Sequence, residues 1–239
     1  PTAFRPLREP NSDERQQFHD LCSELANDEA RDHLVCEDVI GAVREGRSPI
    51  VLTERKDHVE RLAELLSPRI RHLIVMCGGM GRKESRAVAE RLTTIPRHEE
   101  RVILATGRYI GEGFDDARLD TLFLCLPVSW RGTIAQYVGR LHRLCDGKRD
   151  VRVYDYADLN VPLMARMFDR RCRGYEAVGY KILLPASAVP GWPVEVLLPV
   201  DPAWKRDFAA SVRRLVLDGV DVPSGNLFDN AAPESSVAA

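Results

Sequence analysis

The sequence has no CxxC pair and no Cys/His spacing of the kind a metal requires, although it holds six cysteines, at Cys22, Cys36, Cys77, Cys125, Cys145 and Cys172. Thiols scattered this widely read as reduced and structural, which excludes a disulfide framework and fits a cytoplasmic protein. No apolar run approaches the ~20 residues that span a bilayer, and the N-terminus carries no signal-peptide pattern. An excess of one charge is missing as well. Thirty-four Lys and Arg against 36 Asp and Glu leave a net charge of −2, and the pI is near 6.4. That balance excludes a bulk polycationic binder, so any nucleic-acid contact must come from local basic patches. No internal repeat is present. Gly78-Gly79-Met80-Gly81-Arg82-Lys83-Glu84-Ser85 has the look of a phosphate loop but not the GxxxxGK spacing followed by Ser or Thr that sets a lysine over phosphates, and no acidic DExx-type pair follows a strand.

What remains is an ordinary globular composition. A chain of 239 residues with 44% hydrophobic content can build one α/β domain of ~150 residues with additions. It starts at Pro1 rather than Met, and the expectation is a piece of a longer protein. Residues 1–46 read as a linker followed by two helices. The first carries Phe18, Leu21, Cys22 and Leu25, and the second runs from about Asp28 to Arg44 with Leu34, Val35, Val39, Ile40 and Val43 on its apolar face. These two helices are expected to lean on the sheet as an adaptor.

Over residues 47–158 short apolar runs at Ile50–Thr53, His72–Cys77, Val102–Thr106, Thr121–Leu126 and Val151–Tyr154 alternate with helical patterns at Lys56–Leu66, Arg82–Thr94 and Gly132–Leu144. This is the grammar of a doubly wound, mostly parallel sheet, in which ligands gather at the carboxyl ends of the strands. Residues 159–218 read as a helical C-terminal extension. It begins with a helix over Val161–Tyr175 and continues through an extended, proline-containing stretch with a short strand to a last helix over Pro202–Leu217. Within the first helix Arg166, Arg170, Arg171 and Arg173 concentrate positive charge; a solvated face is the ordinary reading of such a run and a phosphate contact the alternative. Residues 219–239 lose all pattern and read as a disordered tail.

The most informative stretch is Arg101 to Arg143. Its buried strand stops at Thr106-Gly107, a loop carries Glu112, Gly113 and Asp115, and a second strand is ended by Pro127. The following helical pattern places Gln136, Arg140 and Arg143 at i, i+4 and i+7, on one predicted face. Arginine's planar fork keeps its charge at any working pH and matches phosphate oxygens bidentately, so two on one face can clamp a polyphosphate. Paired arginines alone are more often a solvated or acid-binding surface. Gly139, inside that helix at a cost of roughly 1 kcal/mol, suggests close approach to the backbone.

Ala105-Thr106-Gly107 through Glu112-Gly113-Phe114-Asp115 resembles motif V of superfamily 2 helicases, and Gln136 through Arg143 resembles their motif VI, QxxGRxxR. Pro49 through Arg55 resembles motif IV, and Gly78 through Arg82 the glycine-containing loop after the next strand; the flavour is that of DEAD/DEAH-like restriction and defence helicases. The resemblance implies a RecA-like domain of P-loop NTPase architecture without a Walker A, and specifically the second motor domain of an ATP-dependent helicase or translocase. It implies that Arg140 and Arg143 are arginine fingers, with Gln136 sensing nucleotide. Glu112, Gly113 and Asp115 would lie against the nucleotide, although Asp115 is open to the plainer reading of a loop carboxylate capping an amide. It further implies that Thr53, Arg55, Gly79, Thr106, Gly107 and Arg108 hold nucleic acid, DNA with RNA the alternative. ATP and Mg would be bound mainly by a first RecA-like domain upstream in the same polypeptide. Trp130 would either stack on a base or fill the core, and His58 and His142 read as ordinary surface or satisfied histidines, so no metal site is expected. The alternatives are a non-catalytic nucleic-acid-binding or adaptor module that retains the helicase fold and, more weakly, an independent phosphotransfer enzyme, which lacks a visible general base.

Overall fold

The computed structural model describes residues 1–7, 14–107, 116–128, 140–177, 180–185 and 195–197. They divide into two compact units, one of Thr2 and Phe4–Tyr156, the other of Ala157–Ala239 with Pro1 and Ala3.

The larger unit opens with α1 (Glu14–Leu25) and α2 (Glu29–Arg44) and continues through β1 (Pro49–Thr53), α3 (Lys56–Leu66), β2 (Leu73–Met76), α4 (Arg82–Thr94), β3 (Val102–Thr106), β4 (Thr121–Leu124) and β5 (Arg152–Asp155). The strands form a five-stranded sheet in the order β2-β3-β1-β4-β5, and each neighbouring pair is parallel. A parallel sheet is stable when both faces are covered, and the burial follows that rule. Val51, Val102, Leu104 and Phe123 pack into one core with Val35, Cys36, Val39, Ile40 and Val43 of α2 and Val59, Leu62 and Leu66 of α3. The alternate residues Ile50, Leu52, Ile74, Ile103, Ala105, Leu122 and Leu124 are also buried.

The α2 stripe leaves out one residue expected in it and takes in Arg31, Asp32, Cys36 and Ala42. Leu34 is exposed and Cys36 is buried in its place, because the stripe follows the pairs 31/32, 35/36 and 39/40 and position 34 lies outside it. Asp28 caps α2 by accepting the Arg31 amide at 2.9 Å. At the head of α4 the Gly81 amide donates to the Glu84 carboxylate at 3.0 Å, which makes the Gly78–Ser85 segment a turn leading into a capped helix.

The amino edge of the sheet is tied by Arg47. Its guanidinium donates to Thr121 Oγ1 at 2.5 Å and to the carbonyls of Asp120 and Asp150 at 3.3 and 3.2 Å, and it lies 2.6 Å from the Asp150 carboxylate. One buried side chain thereby joins the entries of β1, β4 and β5. Arg118 performs a similar service for the loop before β3, donating to the carbonyls of Ile95, Arg97 and Glu99.

In the smaller unit α5 (Pro162–Ala177) starts with proline at its first helical position, where a missing N–H costs nothing. The stretch expected to hold one short strand holds two, β6 (Leu183–Pro185) and β7 (Glu195–Leu197), paired antiparallel. The helix expected over 202–217 and the tail lie outside the described residues.

Candidate functional site

The carboxyl edge of the sheet gathers the ends of three adjacent strands, β2, β3 and β1, and with them Gly78, Gly79, Thr106, Gly107, Thr53 and Arg55. Register places Thr53 beside Thr106 and Met76 beside Ala105. The two threonine hydroxyls therefore stand at the same level on neighbouring strands.

Both are engaged within the protein. Thr106 Oγ1 accepts the Gly78 amide at 3.0 Å, binding the end of β3 to the turn after β2. Thr53 is 2% exposed, and its Oγ1 lies 2.9 Å from Nδ1 of His58 in the first turn of α3. His58 Nε2 is in turn 2.8 Å from Asp32 Oδ1 on α2. In the neutral ring Nε2–H donates to the carboxylate, leaving Nδ1 to accept the threonine proton. The second Asp32 oxygen faces Arg61 Nε at 3.3 Å, and Arg61 also donates to the Ala26 carbonyl at 2.5 Å and to Asn27 Oδ1 at 2.7 Å.

Next to Asp32, Arg31 donates to the carbonyl of Cys125 just past β4, with its guanidinium 5.6 Å from the centre of the Tyr156 ring. The first turn of α2 thus braces the carboxyl ends of both β1 and β4. Sequence reasoning passed over Arg31 and Asp32, since charged residues in the first turn of a helix ordinarily face solvent. The signal that could have found them is their place in the stripe, one turn before Val35 and Cys36.

Arg55 is half-buried and its fork is taken up by Asp57, with Nε 3.1 Å from Oδ1 and Nη2 2.9 Å from Oδ2. Those hydrogen bonds hold the Asp57 carboxyl below its ordinary range. Gly79 is exposed and adopts φ +90, a conformation that side chains rarely take. Gly107 is buried.

Beyond β4, Arg140 is half-buried, Leu141 buried and Arg143 exposed. Helical geometry ends at Leu141, so Arg143 follows the helix rather than sharing a helical face with Arg140. The cause is a tight return of the chain. Arg143 N–H bonds to the Arg140 carbonyl, Gly147 takes φ +85, and Lys148 Nζ reaches back to the carbonyls of Leu141 and Arg143 at 2.8 and 2.7 Å, as a cation at a helix C-terminus should. Gln136, Gly139, Trp130, Arg108, Glu112, Gly113 and Asp115 lie outside the described residues. Among the described residues no group of three His, Cys, Asp or Glu is placed to hold a metal ion, and no helix is long and apolar enough to cross a membrane. None of the six cysteines is in a disulfide; burial pushes the Cys36 thiol up to about 12 and raises Cys125 as well, which leaves both inert.

A five-stranded parallel sheet in this order, covered on both faces and carrying its glycine and threonine turns at the carboxyl edge, is a RecA-like α/β domain. The solved structure of T4 UvsW has a similar fold, with a TM-score of 0.50 and 13% identity over 84% of this chain and 33% of that one. The chain thus spans about a third of the protein it resembles. The E. coli DEAD-box protein SrmB, solved bound to regulator of ribonuclease activity A, aligns at a TM-score of 0.45 and 17% identity, covering 59% of this chain and 79% of that one. The Sulfolobus solfataricus SWI2/SNF2 ATPase core domain aligns at 0.44 and 12%, covering 60% and 28%. At these identities the likeness is one of fold. No protein-family model and no curated protein matches the chain.

Proposed function

We propose that the chain is the second motor domain of an ATP-dependent superfamily 2 helicase or translocase acting on nucleic acid, DNA in the first instance. The observation that supports this best is the alignment of Gly78-Gly79, Thr106-Gly107 and Thr53 along adjacent strand ends β2, β3 and β1; Arg140 and Arg143 follow β4 in the chain. Such an edge offers backbone amides to a ligand.

In this reading Arg140 and Arg143 present fixed positive charge to the phosphates of ATP held by a first motor domain. Groups of this type contribute roughly 10³ to 10⁵ in rate by neutralising charge that develops in the transition state. Gln136, Glu112, Gly113 and Asp115 would face the nucleotide, with Mg held by the first domain. Thr53, Arg55, Gly79, Thr106, Gly107 and Arg108 would form half of a track for the nucleic-acid backbone. Because Thr53 and Thr106 spend their hydroxyls on His58 and Gly78, their part is to fix the turns whose amides approach phosphate. Such contacts are independent of sequence.

The test is ATP hydrolysis, with and without single-stranded and duplex DNA, by this chain and by the full-length protein its gene encodes. The chain alone is expected to be silent and the full-length protein to be stimulated by nucleic acid. Hydrolysis by the chain alone would overturn the half-motor reading, and an unresponsive full-length protein would favour an adaptor that retains the fold.

A further inference from the structure

Among the described side chains of α5, the exposed positions are Arg166, Arg170 and Arg173, and no others. They recur at i, i+4 and i+7, so they form one stripe, with rises of about 6 and about 10.5 Å from the first to the second and third. The opposite side of the helix, with Met164, Phe168, Cys172 and Tyr175, is buried, which fixes the stripe outward. Arg171, the fourth arginine of the run, is not part of it: that residue is buried, with its guanidinium 5.7 Å from the centre of the Phe168 ring. Arg173 is held by Asp169 at 2.5 Å while staying half-exposed. Arg166 and Arg170 have no hydrogen-bond or ion-pair partner among the described residues.

Ordinary solvated helix faces mix signs, because alternating charges stabilise the helix and like charges one turn apart repel. Here a chain of net charge −2 sets three cations of one kind on one face with no exposed acid among them. The choice of arginine is informative, since its fork matches phosphate oxygens in pairs where lysine supplies a point charge. A protein partner would need a desolvated apolar or aromatic anchor at the centre of the contact; here the half-buried Leu163 and Met167 lie at the margin of the stripe, and no aromatic side chain is exposed among the described positions of the helix.

We propose that the Arg166–Arg170–Arg173 face of α5 is a nucleic-acid contact surface, additional to the residues assigned to the carboxyl edge of the larger unit, that binds the phosphate backbone without reading sequence. It lies in the smaller unit and does not depend on the motor assignment of the larger one. Neutralising a phosphate releases counterions, so each contact adds ~0.7 to the slope of log affinity against log salt on a single strand and ~0.9 on a duplex.

The experiment is fluorescence anisotropy of the chain with labelled single strands and duplexes of about 30 nucleotides, in two unrelated sequences, across a salt series. The variants are Arg166→Gln/Arg170→Gln and the same pair with Arg173→Gln. The double variant removes only side chains without partners among the described residues and is expected to keep the wild-type melting temperature. The expected result is a slope smaller by about 1.4 on single strands or about 1.8 on duplex for the double variant, equal for both sequences. An unchanged slope or no binding by the wild-type chain would overturn the proposal. Its failure would leave the motor reading standing, because ATP turnover is measured without reference to α5.

Discussion

Nδ1 of His58 lies 2.9 Å from Oγ1 of Thr53, and through that contact the end of β1 is tied to a carboxylate on another helix. Asp32 completes the chain at 2.8 Å, and all three groups are buried. A strand end that must present a fixed backbone to a ligand gains from such a tie, since the hydroxyl no longer samples rotamers.

Asp32→Ala should lower the stability of the larger unit by about 3–5 kcal/mol, because it leaves His58 Nε2 and the Arg61 guanidinium facing an empty buried site. Urea unfolding measures this, read as a shift in midpoint at constant slope. A loss under about 1 kcal/mol would show that the His58 network carries little of the fold.

Gly79 and Gly78 should respond unequally to alanine. At φ +90 an added Cβ at Gly79 meets no atom within 4 Å but strains the backbone, for a cost of about 1 kcal/mol or more. At Gly78 the Cβ would stand 3.8 Å from Thr106 Oγ1, an ordinary contact, and Gly78→Ala should stay within about 0.5 kcal/mol of wild type. Equal losses at both positions would contradict the turn geometry.

Asp38 gives a pH signature. Partial burial raises its carboxyl above the ordinary 3.8, against the opposing hydrogen bond from Tyr156, whose hydroxyl donates at 3.0 Å. A raised folded-state value means that the stabilising contribution is fully present below 3.8 and is lost as pH rises through the folded value. Asp38→Asn keeps an acceptor for Tyr156 and removes the titration. The variant should match wild type near pH ~3 and exceed it near pH ~7, measured by thermal unfolding at both. A variant weaker than wild type near neutrality would contradict the assignment.

Arg47→Met tests the other edge of the sheet. It strips the donors from Thr121 Oγ1 and from the carbonyls of Asp120 and Asp150, and should cost roughly 2–4 kcal/mol. Hydrogen exchange should locate the loosening at the entries of β1, β4 and β5; protection unchanged there would show that the clamp is dispensable.

Much of the architecture was legible in the sequence because its signals are local. The ends of α3 and α4 at Lys56–Leu66 and Arg82–Thr94 coincide with those expected from apolar period, and the doubly buried strands announced themselves as apolar runs closed by Thr, Gly or Pro. What stayed hidden depends on partners distant in sequence. Asp32 is 26 residues from His58, and nothing in the first turn of α2 says that its carboxylate points inward. His58 was read as an ordinary or satisfied histidine, and it is the satisfied, buried kind. Arg143 was placed on the Arg140 face by counting 3.6 residues per turn, whereas Lys148 and the turn at Gly147 end the helix at Leu141. The β6–β7 pairing was missed because strands of three residues give no period to read.

The proposed role of the arginines after β4 is to complete a nucleotide site for a motor. The most direct measurement is nucleic-acid-stimulated ATP hydrolysis by the full-length protein carrying Arg140→Ala, alongside an unfolding curve for the same variant. The expected result is a loss of roughly 10³-fold or more in stimulated turnover by a variant that still unfolds in one cooperative transition. Turnover within about twofold of wild type would contradict it.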